Sequence, residues 1–126
     1  MADINAIAQQ FTDFYYKTFD QDRGQLTPLY RNESMLTWEG QQFQGVQTIV
    51  EKLMSLPFQK VVHQVTKFDA QPSSIVTPNL LVSVTGHLLV DDETNPLPFS
   101  QVFQLIQDTE TGSYYVFNDI FRLNLG

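Results

Sequence analysis

An α+β fold is predicted for this 126-residue chain by three observations. Apolar residues recur at helical spacing in the first half. Four long runs of β-branched and aromatic residues fill the second half. Turn-rich segments separate those runs. Helices first and long strands afterwards set the pattern apart from an alternating α/β one.

The elements follow in order. Ile4, Ile7, Ala8, Phe11, Phe14, Tyr15 and Phe19 recur at three- and four-residue steps, which predicts a helix ending near Asp20. Asp3 or Asn5 caps it by accepting an orphan backbone N–H. A short second helix is expected over Arg23 to Tyr30, with Leu26, Leu29 and Tyr30 inward and with Gly24 and Pro28 keeping it short. A hairpin follows: Ser34 to Glu39, a turn at Gly40, and a return over Gln42 to Gln44. Val46, Ile49, Val50 and Leu53 mark a third helix, which Pro57 stops. The strands are then Val61 to Phe68, Leu80 to Val90, Phe99 to Ile106 and Tyr114 to Leu123. Gln71-Pro72-Ser73-Ser74, Asn95-Pro96-Leu97-Pro98 and Asp108-Thr109-Glu110-Thr111-Gly112 divide them. No repeat, linker or low-complexity tract interrupts residues 1–126, so one domain is expected.

Composition narrows the function. Hydrophobic residues make up 42%, enough for a core and too many for a disordered tail. Seven Lys and Arg against fourteen Asp and Glu leave a net charge of −7. That balance disfavours nucleic acid and anionic lipid and favours a partner with a basic patch. The absence of cysteine excludes disulfides, thiol catalysis and Cys-ligated zinc. Met1-Ala2-Asp3-Ile4-Asn5 lacks a basic region followed by an apolar run, so no signal peptide is expected. No apolar run approaches the roughly 18 residues of a membrane span. Without a secretory signal, Asn32-Glu33-Ser34 is not expected to be glycosylated.

The strands carry more apolar surface than one covered face needs. Strict alternation puts Tyr115, Phe117, Phe121 and Leu123 on one face of the last strand, with Tyr114, Val116 and Ile120 on the other. In the strand Leu80 to Val90, the residues Leu80, Val82, Val84, Leu88 and Val90 oppose Leu81 and Leu89. Helices cover one side of such a sheet, so the other is expected to meet a second copy of the chain.

Few residues stand out for chemistry. His63 and His87 lie on separate strands without metal-ligand spacing, and a hydrogen-bonded or partly exposed strand histidine accounts for each. No Gly-rich phosphate loop and no nucleophile turn is present. Asp91-Asp92-Glu93 reads as a solvated turn or as a docking site for a cation. Trp38-Glu39 reads as a core ring and a surface carboxylate. Asp119 lies among aromatics; it is either a satisfied strand carboxylate or an acid–base group with its pKa raised by burial. Leu56-Pro57-Phe58 is a helix-to-strand connection or the lip of an apolar pocket.

Taken together, several segments resemble the nuclear transport factor 2 family, and fungal members in particular. They are Phe14-Tyr15-Tyr16, Phe19-Asp20, Asp22-Arg23, Leu36-Thr37-Trp38-Glu39-Gly40 and Ile49-Val50-Glu51-Lys52-Leu53. Leu56-Pro57-Phe58-Gln59-Lys60 and Asn118-Asp119-Ile120-Phe121-Arg122-Leu123 are the most specific. The match runs in order almost end to end. It implies a bent antiparallel sheet curled as a cone around the long N-terminal helix, an apolar cavity, and a homodimer through the sheet.

The resemblance also implies a function without catalysis, cofactor or metal. Members carry the GDP-bound form of the small GTPase Ran into the nucleus, taking one phenylalanine of the GTPase into the cavity. The matching rim carboxylates are Glu39, Asp91 and Glu93. The matching cavity residues are Trp38, Leu56, Phe58, Val61, Leu88, Val90, Ile120 and Phe121. Members also bind phenylalanine-rich nucleoporin repeats weakly near the start of the first helix, where Ile4 replaces an expected aromatic. Cytoplasm and nucleus, with concentration at the nuclear pore, are the implied locations. Two other readings share the fold: a cavity isomerase or dehydratase using Asp119, His63 and Tyr16, and a generic dimerisation or scaffold domain.

Overall fold

The computed structural model describes residues 3–124; Met1 and Ala2, from the stretch read for a signal peptide, lie outside the described residues. Helix α1 spans Ile4–Gln21. The Asp3 carboxylate starts it, accepting from Asn5 N at 3.1 Å and Ala6 N at 3.3 Å. Its buried stripe is Ala8, Phe11, Thr12, Tyr15, Tyr16 and Phe19. Phe14, included above in that stripe, is 54% exposed, because it falls past the edge of a face centred on Ala8, Tyr15 and Phe19. No helix among the described residues is long and apolar enough to cross a membrane.

The segment expected as a second helix is a 3₁₀ turn, Arg23–Leu29, with Pro28 inside it. Strand β1 covers Tyr30–Trp38, β2 Gln41–Gln44, helix α2 Val46–Met54, β3 Val61–Pro72, β4 Leu80–Val90, β5 Leu97–Gln107 and β6 Tyr114–Leu123. The bounds of β4 and β6 are those read from the sequence. β1 begins four residues earlier than Ser34, across polar residues that resemble a loop. There Ser34 Oγ accepts from Arg31 N at 2.8 Å and donates to Val116 O at 2.5 Å, bridging an irregular stretch of the β1–β6 ladder. β3 and β5 also run longer, since Pro72 pairs with Leu80 and Leu97 with Leu88.

The six strands form one curled sheet in the order β2-β1-β6-β5-β4-β3. Its pairings are antiparallel except β1 with β6, which is parallel. Helix α1 fills the concave side against a core that includes Phe99, Phe103, Leu105, Val116 and Phe121. Two irregularities bend the sheet around it. In β3 the register shifts between Val65 and Lys67, and Gly86 sits opposite Val65. A Cβ at Gly86 would lie 2.3 Å from Gln64 O, so only glycine permits this approach.

The second irregularity overturns the strict alternation expected of β6. Gln104 pairs with Asn118 but Leu105 with Val116, leaving Phe117 as an extra residue. Val116 therefore joins Phe121 in the core instead of opposing it. Ile120 falls on the outer face and is 50% exposed. Its expected place in the cavity lining is thereby corrected: adjacent strand residues point to opposite faces, and Phe121 takes the inner one.

Candidate functional site

The strand registers bring Trp38, Val61, Val90, Leu97 and Leu123 to one end of the sheet, where α1 also finishes. Trp38 stacks on Phe121 with ring centres 4.0 Å apart and planes 7° from parallel. Phe19 lies parallel to Trp38 at 6.4 Å, and Phe99 backs Phe121 at 5.6 Å. Trp38, Leu56, Val61, Leu88 and Phe121 are all buried, with Trp38 the most open at 9%. They make a packed floor rather than an open wall. Phe58 and Val90 are half-buried against it and supply a lip. Of the expected cavity residues only Val61 lines the cavity of about 170 Å³ at this end, whose other walls are Phe19, Met54 and Arg23 with the polar Asp20, Gln21, Asp22 and Gln59.

Two of the three expected rim carboxylates occupy turns in left-handed backbone, Glu39 at φ 50° and Asp91 at φ 51°. Such residues are uncommon outside glycine and need local support. Each finds it in the backbone of a neighbouring segment. A Glu39 carboxylate oxygen accepts from Leu123 N, while Glu39 N donates to Phe121 O at 3.1 Å. Asp91 Oδ1 accepts from Gln59 N at 3.0 Å and from Lys60 N at 2.9 Å. Asp91 N returns a bond to Lys60 O at 2.7 Å. Each carboxylate thus spends one oxygen on holding the mouth together and leaves the other out of these bonds. Glu93 is tied only through its backbone, N to Val90 O at 3.0 Å, and its side chain is exposed.

A different hollow lies at the far end of α1. Ile4, Ile7, Pro72, Pro78, Leu80 and Tyr114 line a cavity of about 230 Å³. Thr77 and Asn79 complete it, so no charged side chain among the described residues lines it. Ile4, the first residue of the helix, shares this lining with the β3–β4 loop and the start of β4.

Asp119 sits between the two ends, 1% exposed. Its Oδ2 accepts from Tyr30 at 2.7 Å and from Tyr15 at 3.4 Å, and its Oδ1 from Gln101 Nε2 at 2.7 Å. Burial pushes its pKa up from 3.8 to about 6, and these three donors pull partly against that rise. Tyr16 donates to Gln101 Oε1 at 2.8 Å, extending the chain, and its ring lies 4.6 Å from that of His63. His63 is held elsewhere: its Nδ1 meets Asp20 Oδ1 at 2.5 Å and its backbone N donates to Asp20 Oδ2 at 2.9 Å. Asp119 and Tyr16 are therefore joined through Gln101 by bonds that occupy their polar atoms, while His63 meets Tyr16 only by its ring and is tied to Asp20 instead. That is the arrangement of a satisfied core network. His87 is half-buried on the outer face, the strand histidine expected.

Sequence reasoning gave Arg23, Asp20, Tyr30 and Gln101 no role in the site. Their signal was weak, since each is an ordinary polar residue whose partner lies far along the chain. Only the burial of a glutamine and three tyrosines, visible once folded, marks the network.

A nuclear transport factor 2 domain model matches residues 7–123. Nuclear transport factor 2 of Candida glabrata is 65% identical over 124 residues, covering 97% of this chain and 95% of that one. The Saccharomyces cerevisiae protein of the same name is 64% identical with the same coverage. A solved structure of nuclear transport factor 2 from Cryptosporidium parvum superposes with a TM-score of 0.87 at 47% identity, covering 96% of this chain and 94% of that one.

Proposed function

Because the chain belongs to the nuclear transport factor 2 family, we propose that it is a homodimeric carrier of GDP-bound Ran that also holds phenylalanine-rich nucleoporin repeats weakly. The observation that carries this reading is the mouth at the end of α1. There, stacked rings form an apolar floor, Phe58 and Val90 form a lip, and Glu39, Asp91 and Glu93 stand at the adjoining turns. An aromatic side chain pressed on that floor gains about 2–3 kcal/mol from burial. Basic residues beside it meet carboxylate oxygens already aimed by the backbone bonds of Glu39 and Asp91, so little side-chain entropy is lost on pairing.

The outer face of the sheet supports the dimer. Val62 at 37% and Ile120 at 50% exposure stand there, with half-buried Leu81, Leu89 and Val102 on the intervening strands. A second copy of the same face would dry them. The hydrocarbon hollow at Ile4 suits a repeat phenylalanine, and isoleucine there supplies area without a ring to stack. Discrimination between nucleotides needs no contact with the nucleotide, since GDP and GTP hold the switch segments of the GTPase differently. A carrier of this kind works in cytoplasm and nucleus and collects at the pore.

The deciding experiment compares binding to GDP-loaded and GTP-loaded Ran at one ionic strength. Binding to the GDP form alone is expected. Equal binding, or none, sinks the reading.

A further inference from the structure

Arg23 stands in the wall of the mouth cavity, although the mouth is acidic and a cation there opposes a basic partner. Its bonds explain its presence. Nη2 donates to Phe58 O at 3.1 Å. The guanidinium lies over the Phe58 ring at 5.0 Å and near the Phe19 ring at 5.9 Å. Nη1 is buried and has no hydrogen-bond partner among the described residues. Arg23 therefore grips one residue by both its carbonyl and its ring. The turn that presents it is itself fixed, since Asp22 Oδ1 accepts from Gly24 N at 3.1 Å.

The same segment is held from its other flank. Asp91 takes the N–H groups of Gln59 and Lys60. A cation on the carbonyl of residue 58 and an anion on the amides of residues 59 and 60 match the polarity of the peptide between them. Nothing else in the connection from α2 to β3 has regular structure to hold it.

We propose that Arg23 is a positioning residue for docking: with Asp91 as its counterpart, it fixes Phe58 as the lip of the mouth. This rests on the docking reading above. Its contribution is geometric, so it acts on how long a complex lasts rather than on how fast charges steer it together.

The test is Arg23→Lys, which keeps the charge but loses the planar fork that bonds and stacks at once. Two measurements are made: amide hydrogen exchange at Gln59 and Lys60 in the protein alone, and association and dissociation rates with GDP-loaded Ran over a range of salt. Exchange at both amides and the dissociation rate should each rise by about tenfold, the scale of one cation–π contact with its hydrogen bond. The association rate and its salt slope should hold. Unchanged exchange overturns the proposal, and so does faster exchange with an unchanged dissociation rate. An altered association rate or salt slope also overturns it, because a charge-conserving change that acts only on the lip leaves steering alone. If Arg23→Lys does not fold, Phe58→Leu removes the gripped ring and is read by the same rates. Wild-type protein that binds no GDP-loaded Ran defeats the docking reading itself, and the exchange arm keeps that failure separate from this one.

Discussion

At the C-terminal end of α1 a floor of stacked rings adjoins turns that carry carboxylates; at the N-terminal end a hollow is lined mostly by hydrocarbon, with no charged side chain among the described residues. The helix between them has 18 residues, about 27 Å of rise. That exceeds the screening length of about 8 Å at physiological salt, so charge at one end is not felt at the other. The two ends also differ in construction. The mouth is braced by backbone bonds from Glu39, Asp91 and Arg23. At the other end the bonds that reach the hollow's lining are between neutral groups: Tyr114 Oη donates to Pro78 O at 3.1 Å and Gln107 N to Asn79 Oδ1 at 3.3 Å. One molecule can thus offer a charge-steered site and a weak apolar one without either disturbing the other.

The largest break in this comparison is expected from Glu39→Lys. It reverses a charge at the mouth and also removes the acceptor of Leu123 N. Affinity for GDP-loaded Ran should fall by at least roughly a hundredfold, while the dimer and repeat binding persist. Glu39→Gln retains an acceptor for Leu123 N and loses only the charge, so it should weaken binding less. Calorimetry on both variants separates the two roles. Equal losses would mean that the turn, not the charge, is what the partner reads.

Asp119 tests whether the middle of the molecule joins the ends. Its folded pKa of about 6 lies above the 3.8 expected without burial, so the folded protein holds the proton more tightly than the unfolded chain. The stabilisation from this group is complete below pH 3.8 and is lost as pH rises through 6. Asp119→Asn stays neutral throughout. Relative to wild type, its denaturant stability should therefore gain as pH rises from 4 to 7, by about 3 kcal/mol if the shift is about two pKa units. Affinity at both ends should not move. A pH-independent difference would show that Asp119 titrates as an open carboxylate.

The sequence made the scaffold legible where patterns are local. The helix stripes and the bounds of β4 and β6 follow from periodicity and turn residues. The phase of β6 did not, because the extra residue at Phe117 is set by how Gln104 and Leu105 pair across the sheet. Val116 was put on the outer face with Ile120 for that reason, whereas the place of Ile120 in the cavity came from the family resemblance and ran against the alternation. The family motif gave Glu39 and Asp91 a charge role, but their backbone bonds span 84 and 31–32 residues and depend on left-handed turns that no spacing displays. Arg23 was hidden in the same way: its partner is a main-chain carbonyl, and any residue has one. What strand alternation cannot see are the contacts of side chains with distant backbone.

The smallest expected effect sharpens the other side of the comparison. Ile4→Trp enlarges the apolar wall beside Ile7, Pro78 and Leu80 and adds a ring for edge or stacked contact. Aromatic pairs contribute about 0.5–1.5 kcal/mol beyond area, which corresponds to a few-fold gain in retention on a phenylalanine-rich repeat column. Ran affinity should stay unchanged, because Ile4 lies a helix length from the mouth. The salt response provides the internal check. Raising salt should weaken binding at the mouth, where carboxylates meet a basic partner. It should leave repeat retention level, since the groove at Ile4 carries no charge to screen. If both activities fall together with salt, the two ends are not the separate sites their linings describe. If the tryptophan brings no gain, the repeat phenylalanine docks somewhere other than the Ile4 hollow.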